Sequence, residues 1–313
     1  MSWLIRRAID RALGAAAGKR APLASTKLHP VPNAERNKSD ETLRDDLSGP
    51  IKNEADPRAR DIIEPAAAVD EAPQDVLRRK DAIMREIFNG VIKATRPDII
   101  CDIGSFGAEE IVRFSQISPD SDLYAFEANY DNIVTFINPR LDIKGITIEN
   151  LAICDVDGEI TFHVLTTDGS LQELWRRAAG SLNLRSDDIP YTAVTVPSVR
   201  LDTYFRNAIE AESTFILWID VEGALDRVFA GAEKVLARTI MFRAEVERRE
   251  FWTGQKMAED VIAMAERAGF VFLGDTWTPE ASEQSDVLMI NRRWLDLAVN
   301  SANNMNLPTL PII

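Results

Sequence analysis

The stretch Ile99-Ile100-Cys101-Asp102-Ile103-Gly104-Ser105-Phe106-Gly107-Ala108 runs an almost wholly apolar segment straight into a glycine-containing turn. Ile99 to Ile103 reads as a short buried strand, and Glu109 to Gln116 as a helix that starts after the turn. Glycine lets a backbone approach a ligand without a Cβ clash, and a helix start offers free N–H groups. Taken alone, this element is also the tight strand-to-helix turn of any α/β protein. A dinucleotide fingerprint needs glycine at the first, third and sixth positions. Counted from Gly104, the third position is Phe106 and the sixth is Glu109, so a nicotinamide-dependent oxidoreductase ranks last among the readings.

Working outward, the pattern repeats. Leu123 to Phe126 and Ile146 to Ile153 read as strands, with a helix from about Asp131 to Asn138 between them. Glu159 to Leu165 alternates like a hairpin arm, and Val194 to Val199 is a further strand, followed by a helix over Leu201 to Ala208. Phe215 to Ile219 is strongly apolar, and a helix over Ala224 to Leu236 follows it. Thr239 to Val246 is a strand, Lys256 to Ala268 a helix, and Phe270 to Leu273 with Ser285 to Asn291 a final antiparallel pair. Such alternation predicts an α/β, Rossmann-like, doubly wound and mostly parallel sheet with helices on both faces. The polar segment Thr166 to Tyr191, with Trp175, Arg176, Arg177 and Arg185, reads as a lid or binding loop that shapes the substrate.

Upstream, Val76, Leu77, Ile83, Ile87, Phe88, Val91 and Ile92 give an amphipathic helix that stops before Pro97. The predicted organisation is an amphipathic start and disordered linker over 1–75, one domain over 76–297, and a loose tail over 298–313. Residues 18–73 contain seven prolines and too little apolar surface to offset the entropy of ordering. In residues 1–17, charges at Arg6, Arg7, Asp10 and Arg11 interrupt the apolar positions. That suits a frayed helix or partner-docking segment better than a cleaved signal peptide or a helix on a membrane surface.

The 313-residue chain carries a net charge of −14, which argues against a phosphate-tracking nucleic-acid surface. It favours a small or uncharged substrate, or a basic partner. Cys101 and Cys154 each sit in an apolar run, as small core residues in a reducing, cytoplasmic setting. With only His29 and His163, a His-rich zinc site is excluded.

Two acidic elements carry candidate chemistry. Glu127 closes the second strand, where an acid can accept both ribose hydroxyls of an adenosine cofactor. In Trp218-Ile-Asp220-Val-Glu222-Gly223-Ala224, two carboxylates one residue apart stand at the tip of an apolar strand. Such placement is costly unless the acids are solvated, paired or functional. One of them deprotonates an acceptor hydroxyl, or the pair holds a divalent ion through oxygen ligands, or both merely cap a helix. Asp220 is the first choice as base or metal ligand and Glu222 the second, with His163 a further candidate base.

The order of these pieces resembles the FkbM-type methyltransferase family. The resemblance rests on Asp102-Ile-Gly-Ser, Tyr124-Ala-Phe-Glu127-Ala-Asn129, Leu151-Ala152-Ile-Cys-Asp155-Val-Asp-Gly158 and Val199-Arg-Leu-Asp-Thr-Tyr204. Above all it rests on Ile219-Asp220-Val221-Glu222-Gly223-Ala224, and it covers roughly residues 97–292. It implies a class I type fold and an S-adenosylmethionine-dependent O-methyltransferase acting on hydroxyls of sugars, glycans or small secondary metabolites. On these motif positions Gly104 and Ser105 line the methionine end of the cofactor, and Asp102 orients its amino group. Glu127, with Asn129 beside it, holds the ribose, and Ala152 to Asp155 border the adenine. The sequence departs from the family where Phe106 and Ala108 replace the usual Asn and Gly, and where Leu225 replaces a common Glu. A methyl group at Ala108 is expected to crowd the cofactor, and the alternative is a catalytically silent relative that acts as a binding module.

Overall fold

Apolar residues at helical spacing bury one side of α1 (Pro73–Thr95), through Leu77, Met84, Ile87, Phe88, Val91 and Ile92. Proline at its start costs nothing, because that N–H has no partner within the helix. Left-handed Arg96 closes the helix ahead of Pro97. In this computed structural model the described residues are 72–167, 174–279 and 283–303. The amphipathic start and nearly all of the linker, like the chain beyond 303, lie outside them.

In chain order the strands are β1 (Ile99–Ile103), β2 (Asp122–Phe126), β3 (Ile146–Glu149), β4 (Ala152–Ile153), β5 (Gly158–Leu165) and β6 (Tyr191–Val199). They continue with β7 (Phe215–Ile219), β8 (Thr239–Glu247), β9 (Phe270–Asp275) and β10 (Gln284–Asn291). Seven of them form one sheet in the order β3-β2-β1-β7-β8-β10-β9. The first five in that order run parallel, and β10 is antiparallel to both of its neighbours. The order reverses between β1 and β7, and in such sheets ligands bind outside the carboxyl ends of the strands at that point.

Strands β1, β7 and β8 are buried at every position, because helices cover both faces. The apolar runs therefore divide by alternation. Ile100, Trp218 and Leu288 pack with Met84 and Phe88 of α1 and Phe114 of α2 (Glu109–Ile117) on one face. Cys101, Leu217 and Phe242 pack on the other against Val228 of α7 (Leu225–Ala230), Leu236 of α8 (Glu233–Arg238) and Val261 of α9 (Ala258–Arg267). Both cysteines are buried and free. No helix among the described residues is long and apolar enough to cross a membrane.

The structure departs from the sequence reading at five joints. The expected strand Ile146 to Ile153 is two strands in two sheets: β3 pairs with β2, whereas β4 pairs with β6 in a small sheet ordered β4-β6-β5. Asn150 makes the break, its Nδ2 donating to the carbonyls of Glu127 at 2.8 Å and Ala128 at 3.0 Å. The helix expected over Ala224 to Leu236 divides at Gly231, where a Cβ would overlap the Cys154 carbonyl. The one expected over Leu201 to Ala208 divides at Phe205 into α5 (Leu201–Tyr204) and α6 (Arg206–Glu210). After a single turn, α3 (Tyr130–Asn132), the segment Ile133–Ile137 widens into a π-helix. Past residue 297, where the domain was expected to end, α10 (Leu295–Asn303) continues, with Leu295 and Ala298 buried in the α1 core.

Candidate active site

The carboxyl ends of β1, β2 and β7 converge on one crevice. Its walls include Gly104 after β1, Glu127 and Ala128 after β2, Leu151, Ala152 and Ile153 beside β4, and Asp220, Val221 and Ala224 after β7. The crevice is open to solvent at its mouth, and both apolar and polar groups line it.

Gly104 has φ +80°, and a Cβ there would overlap the carbonyl oxygen of Asp220. The glycine therefore admits the neighbouring strand end as well as a ligand. The Asp220 N–H donates to the Ile103 carbonyl at 2.8 Å, which holds the two strand ends together.

Glu127 is buried, and its two oxygens accept the N–H groups of Phe106 and Asn129, each at 2.7 Å. Burial raises its carboxyl to about 7, despite those two hydrogen bonds. The Asn132 side chain also bonds this carboxyl, which leaves acceptor capacity for one further donor.

Among the other expected cofactor residues, several also bond within the scaffold. Asp102 is buried and accepts the Ile111 N–H near the start of α2, a helix whose own cap position, Ala108, makes no side-chain bond. Burial, then the charges of Glu110 and Glu109, push the Asp102 carboxyl well up. Asn129 caps α3, its Oδ1 accepting the Asp131 N–H at 3.1 Å. Asp155 is exposed and ion-paired with Arg227 at 2.7 Å. Ser105 is buried beside the turn, with an Oγ that has no partner.

Phe106 and Ala108, the two departures, both have left-handed backbones, φ 45° and 60°. The Phe106 ring packs on Phe136, 4.7 Å between centroids. Ala108 is fully buried among Ile111, Phe114 and the α1 core, and is not a wall of the crevice. The expectation that its methyl crowds the cofactor is corrected: the side chain points into the core. His163, on β5, packs edge-on against Tyr191 and is not a wall of the crevice either.

The insert between β5 and β6 does cover the site. Arg177 and Ala178, at the end of α4 (Leu174–Ala178), line the crevice with Gly180 and Leu182. Ser181 Oγ donates to the Glu222 carbonyl at 2.6 Å, and Asn183 Nδ2 to the Gly223 carbonyl at 2.8 Å. Two consecutive left-handed residues, Glu222 at φ 51° and Gly223 at φ 76°, make that turn. Trp252, fully buried, closes it from beneath, its ring within 2.9 Å of where a Gly223 Cβ would stand. A left-handed non-glycine residue is strained, and the surrounding contacts must hold it.

Behind Asp220 lies a row of acids. Register pairs Ile219 with Ala244 and Glu245 with Asp286, which brings Asp220, Glu245 and Asp286 alongside one another on three adjacent strands. Carboxylate oxygens of Asp220, Glu222 and Glu245 lie within 4.8 Å of one another. Burial, then the Asp286 charge, raises Asp220 to about 7; burial and Asp220 raise Glu222 well up and Glu247 to about 8. Asp286 is held instead by fully buried Arg243, which also bonds Asp81 of α1 and lies over the Trp218 ring at 4.6 Å. Burial opposes the Arg243 charge, but Asp286 and Asp81 outweigh it and raise its pKa.

Sequence reasoning assigned no role to Glu245, Glu247 or Arg243. The available signal was charge at every second position, Arg243-Ala-Glu245-Val-Glu247, in a strand otherwise apolar.

Residues 103–272, more than half of the 313, match the model of the Methyltransferase FkbM domain family. The chain belongs to the FkbM methyltransferase family. Among curated proteins, this FkbM chain is 28% identical over 167 residues to the 2-O-methyltransferase NoeI of Sinorhizobium fredii (strain NBRC 101917 / NGR234), covering 51% of this chain and 68% of that one. Among solved structures it overlaps magnesium protoporphyrin IX methyltransferase (ChlM) of Synechocystis PCC 6803, with bound SAM, at TM-score 0.36 and 12% identity, covering 70% of this chain and 79% of that one. A SAM-dependent methyltransferase from Agrobacterium tumefaciens overlaps at TM-score 0.36 and 8% identity, over 68% of this chain and 61% of that one.

Proposed function

We propose that this FkbM-family protein is an S-adenosylmethionine-dependent O-methyltransferase whose acceptor is a hydroxyl of a sugar, glycan or small secondary metabolite. The observation that carries the proposal is the position of Asp220. It is the one acid that both lines the crevice and belongs to the buried acid row. The relative named as a 2-O-methyltransferase supports an oxygen acceptor, and the net charge of −14 suits a neutral or small substrate better than a nucleic acid.

The residues present suit the cofactor. Gly104 gives a turn without a side chain, Ser105 offers an unpartnered buried Oγ, and Glu127 has spare acceptor capacity for ribose hydroxyls. Ala152 and Ile153 give an apolar wall for the adenine. When bound, S-adenosylmethionine supplies a methyl group on a sulfonium, an electrophile that an oxygen displaces in line. The chain's task is to fix the acceptor oxygen near that carbon, and positioning of this kind supplies much of an enzyme's acceleration. Asp220 receives the hydroxyl, taking its proton or orienting it, with Glu222 next in line. Arg177, Ala178, Gly180 and Leu182 of the insert exclude water and border the acceptor. A cytoplasmic setting agrees with two free, buried cysteines.

The test is calorimetric titration of S-adenosylmethionine into wild type and Glu127→Ala, followed by methyl transfer to a panel of hydroxylated acceptors with wild type and Asp220→Asn. The proposal expects micromolar binding that Glu127→Ala weakens. It expects transfer that Asp220→Asn lowers by roughly 100-fold or more. Absence of cofactor binding by folded wild type would overturn it in favour of a silent binding module.

A further inference from the structure

We propose that Asp220, Glu222 and Glu245 form a site for one hard divalent cation, placed to bind the acceptor oxygen at the inner end of the crevice. This deepens the methyltransferase reading and rests on it for the acceptor's position, while the cation site itself stands on geometry alone.

The first support is distance. One oxygen from each carboxylate can be chosen so that all three lie within 4.8 Å of one another. Oxygens bound to a single Ca²⁺ at about 2.4 Å lie at most about 4.8 Å apart, and around Mg²⁺ at about 2.1 Å at most about 4.2 Å. The three oxygens are therefore close enough for one cation to draw together, calcium with less contraction than magnesium or manganese. Three carboxylates with no nitrogen or sulfur select such hard ions over zinc.

The second support is a set of buried polar atoms with nothing to bind. Glu222 is 4% exposed, and its Oε2 has no hydrogen-bond partner. Oδ1 of Asp220 is enclosed and equally unpartnered. Glu247, a fourth acid outside the triad, is 3% exposed; Gln255 Nε2 donates to one of its oxygens at 3.0 Å while the other has no partner. Buried polar atoms are almost always paired, and an orphaned carboxylate oxygen is among the costliest exceptions.

The third support is charge. Asp286 and Asp81, at the rim of the same row, share Arg243. Among the described residues no Lys or Arg forms an ion pair with Asp220, Glu222 or Glu245; the charges of Arg243 and Arg185 act on Asp220 and Glu222 from longer range, and Gln284 reaches Glu245 at 3.2 Å but brings no charge. A divalent cation supplies what the protein's own side chains do not. Asp220 is then a ligand rather than the proton acceptor. The ion lowers the pKa of the hydroxyl it binds, and that proton passes to solvent water at the open crevice as the methyl group moves from sulfur to oxygen.

The experiment uses the full chain, stripped with chelator and dialysed. Mn²⁺ is titrated while free aqueous Mn²⁺ is followed by electron paramagnetic resonance, and Mg²⁺ and Ca²⁺ are then added as competitors. S-adenosylmethionine is titrated in the same samples. The proposal expects one Mn²⁺ per chain and a melting temperature that rises with Mg²⁺ or Ca²⁺, since a ligand of the native state stabilises it. It expects Glu245→Gln to weaken Mn²⁺ by roughly tenfold or more while leaving circular dichroism unchanged, with Glu222→Gln as the second variant should the first fail to fold. Manganese binding that is absent, or that neither variant weakens, overturns the cation site. If S-adenosylmethionine still binds in that case, the methyltransferase reading survives. Manganese binding without cofactor binding keeps the site and removes that reading.

Discussion

Gly104 and Gly145 have nearly the same left-handed backbone, φ +80° and +85°, but opposite surroundings. At Gly145 a Cβ would meet nothing within 4 Å, whereas at Gly104 it would overlap the Asp220 carbonyl oxygen. An alanine at either position carries the left-handed penalty, about 1 kcal/mol. Gly145→Ala should cost little more than that. At Gly104 the added carbon collides with backbone, and no side chain can rotate away. Relief requires the end of β7 to move off β1, where Asp220 N–H donates to the Ile103 carbonyl at 2.8 Å. Losing that bond costs about 1 kcal/mol, and overpacking adds about 1–3 kcal/mol. Gly104→Ala should therefore destabilise by about 3–5 kcal/mol against about 1 for Gly145→Ala. Urea unfolding at a common slope reads both values, and calorimetry should show S-adenosylmethionine binding lost only in Gly104→Ala. Variants within about 1 kcal/mol of each other, or a Gly104→Ala protein that binds the cofactor like wild type, would refute the close contact.

Other consequences can be measured directly. Burial raises Glu127 from 4.5 to about 7, so the folded state holds this proton more tightly than the unfolded chain does. The stability it contributes is present below about pH 4.5 and is lost as pH rises to about 7, on the order of 3 kcal/mol in all. Urea unfolding against pH should show this fall in wild type and a flatter profile in Glu127→Gln. Cofactor affinity should rise over the same window as the carboxylate becomes a better acceptor of ribose hydroxyls. Arg243→Met takes the only paired cation from buried Asp286 and leaves Asp81 to Arg85 alone, and chemical denaturation should register a loss of about 3–5 kcal/mol. A loss under about 1 kcal/mol would mean that those acids accept protons at no cost. Ala108→Gly should leave S-adenosylmethionine affinity as in wild type, because Ala108 is fully buried in the core cluster and is not a wall of the crevice. A marked gain in affinity would return that methyl to the cofactor's path.

The elements legible in the sequence are those whose signal is local. Ile99–Ile103 and Phe215–Ile219 are buried on both faces, so their apolar runs announce central strands. Glu127 and Asp220 stand out because each follows an apolar strand, and both are in the crevice wall. What stayed hidden depends on partners distant in the chain. Nothing around Ile146 to Ile153 reveals that Asn150 turns back to the Glu127 and Ala128 carbonyls and sends β4 to another sheet. Asp102 stands beside the glycine turn and Asn129 enters only through the motif Tyr124 to Asn129; that their side chains also bond to the starts of α2 and α3 is not visible in either stretch. The acid row needs the pairing of Asp286 with Glu245 and the parallel alignment of β7 with β8, neither of which a single sequence states. Periodicity within Arg243 to Glu247 exposed the pattern but not the neighbour it faces.

The insert grips the Glu222–Gly223 turn by its carbonyl oxygens, through Ser181 and Asn183. Main-chain carbonyls are the same whatever side chain each residue bears. The clasp thus makes no demand on the identity of the acids it covers, and those acids place none on the rest of the insert. Arg177, Ala178 and Leu182 can be exchanged to recognise a different acceptor while the reaction centre keeps its shape. On the function proposed above, acceptor choice and methyl transfer are then separate modules, and swapping residues 174–182 between relatives should alter selectivity without loss of transfer.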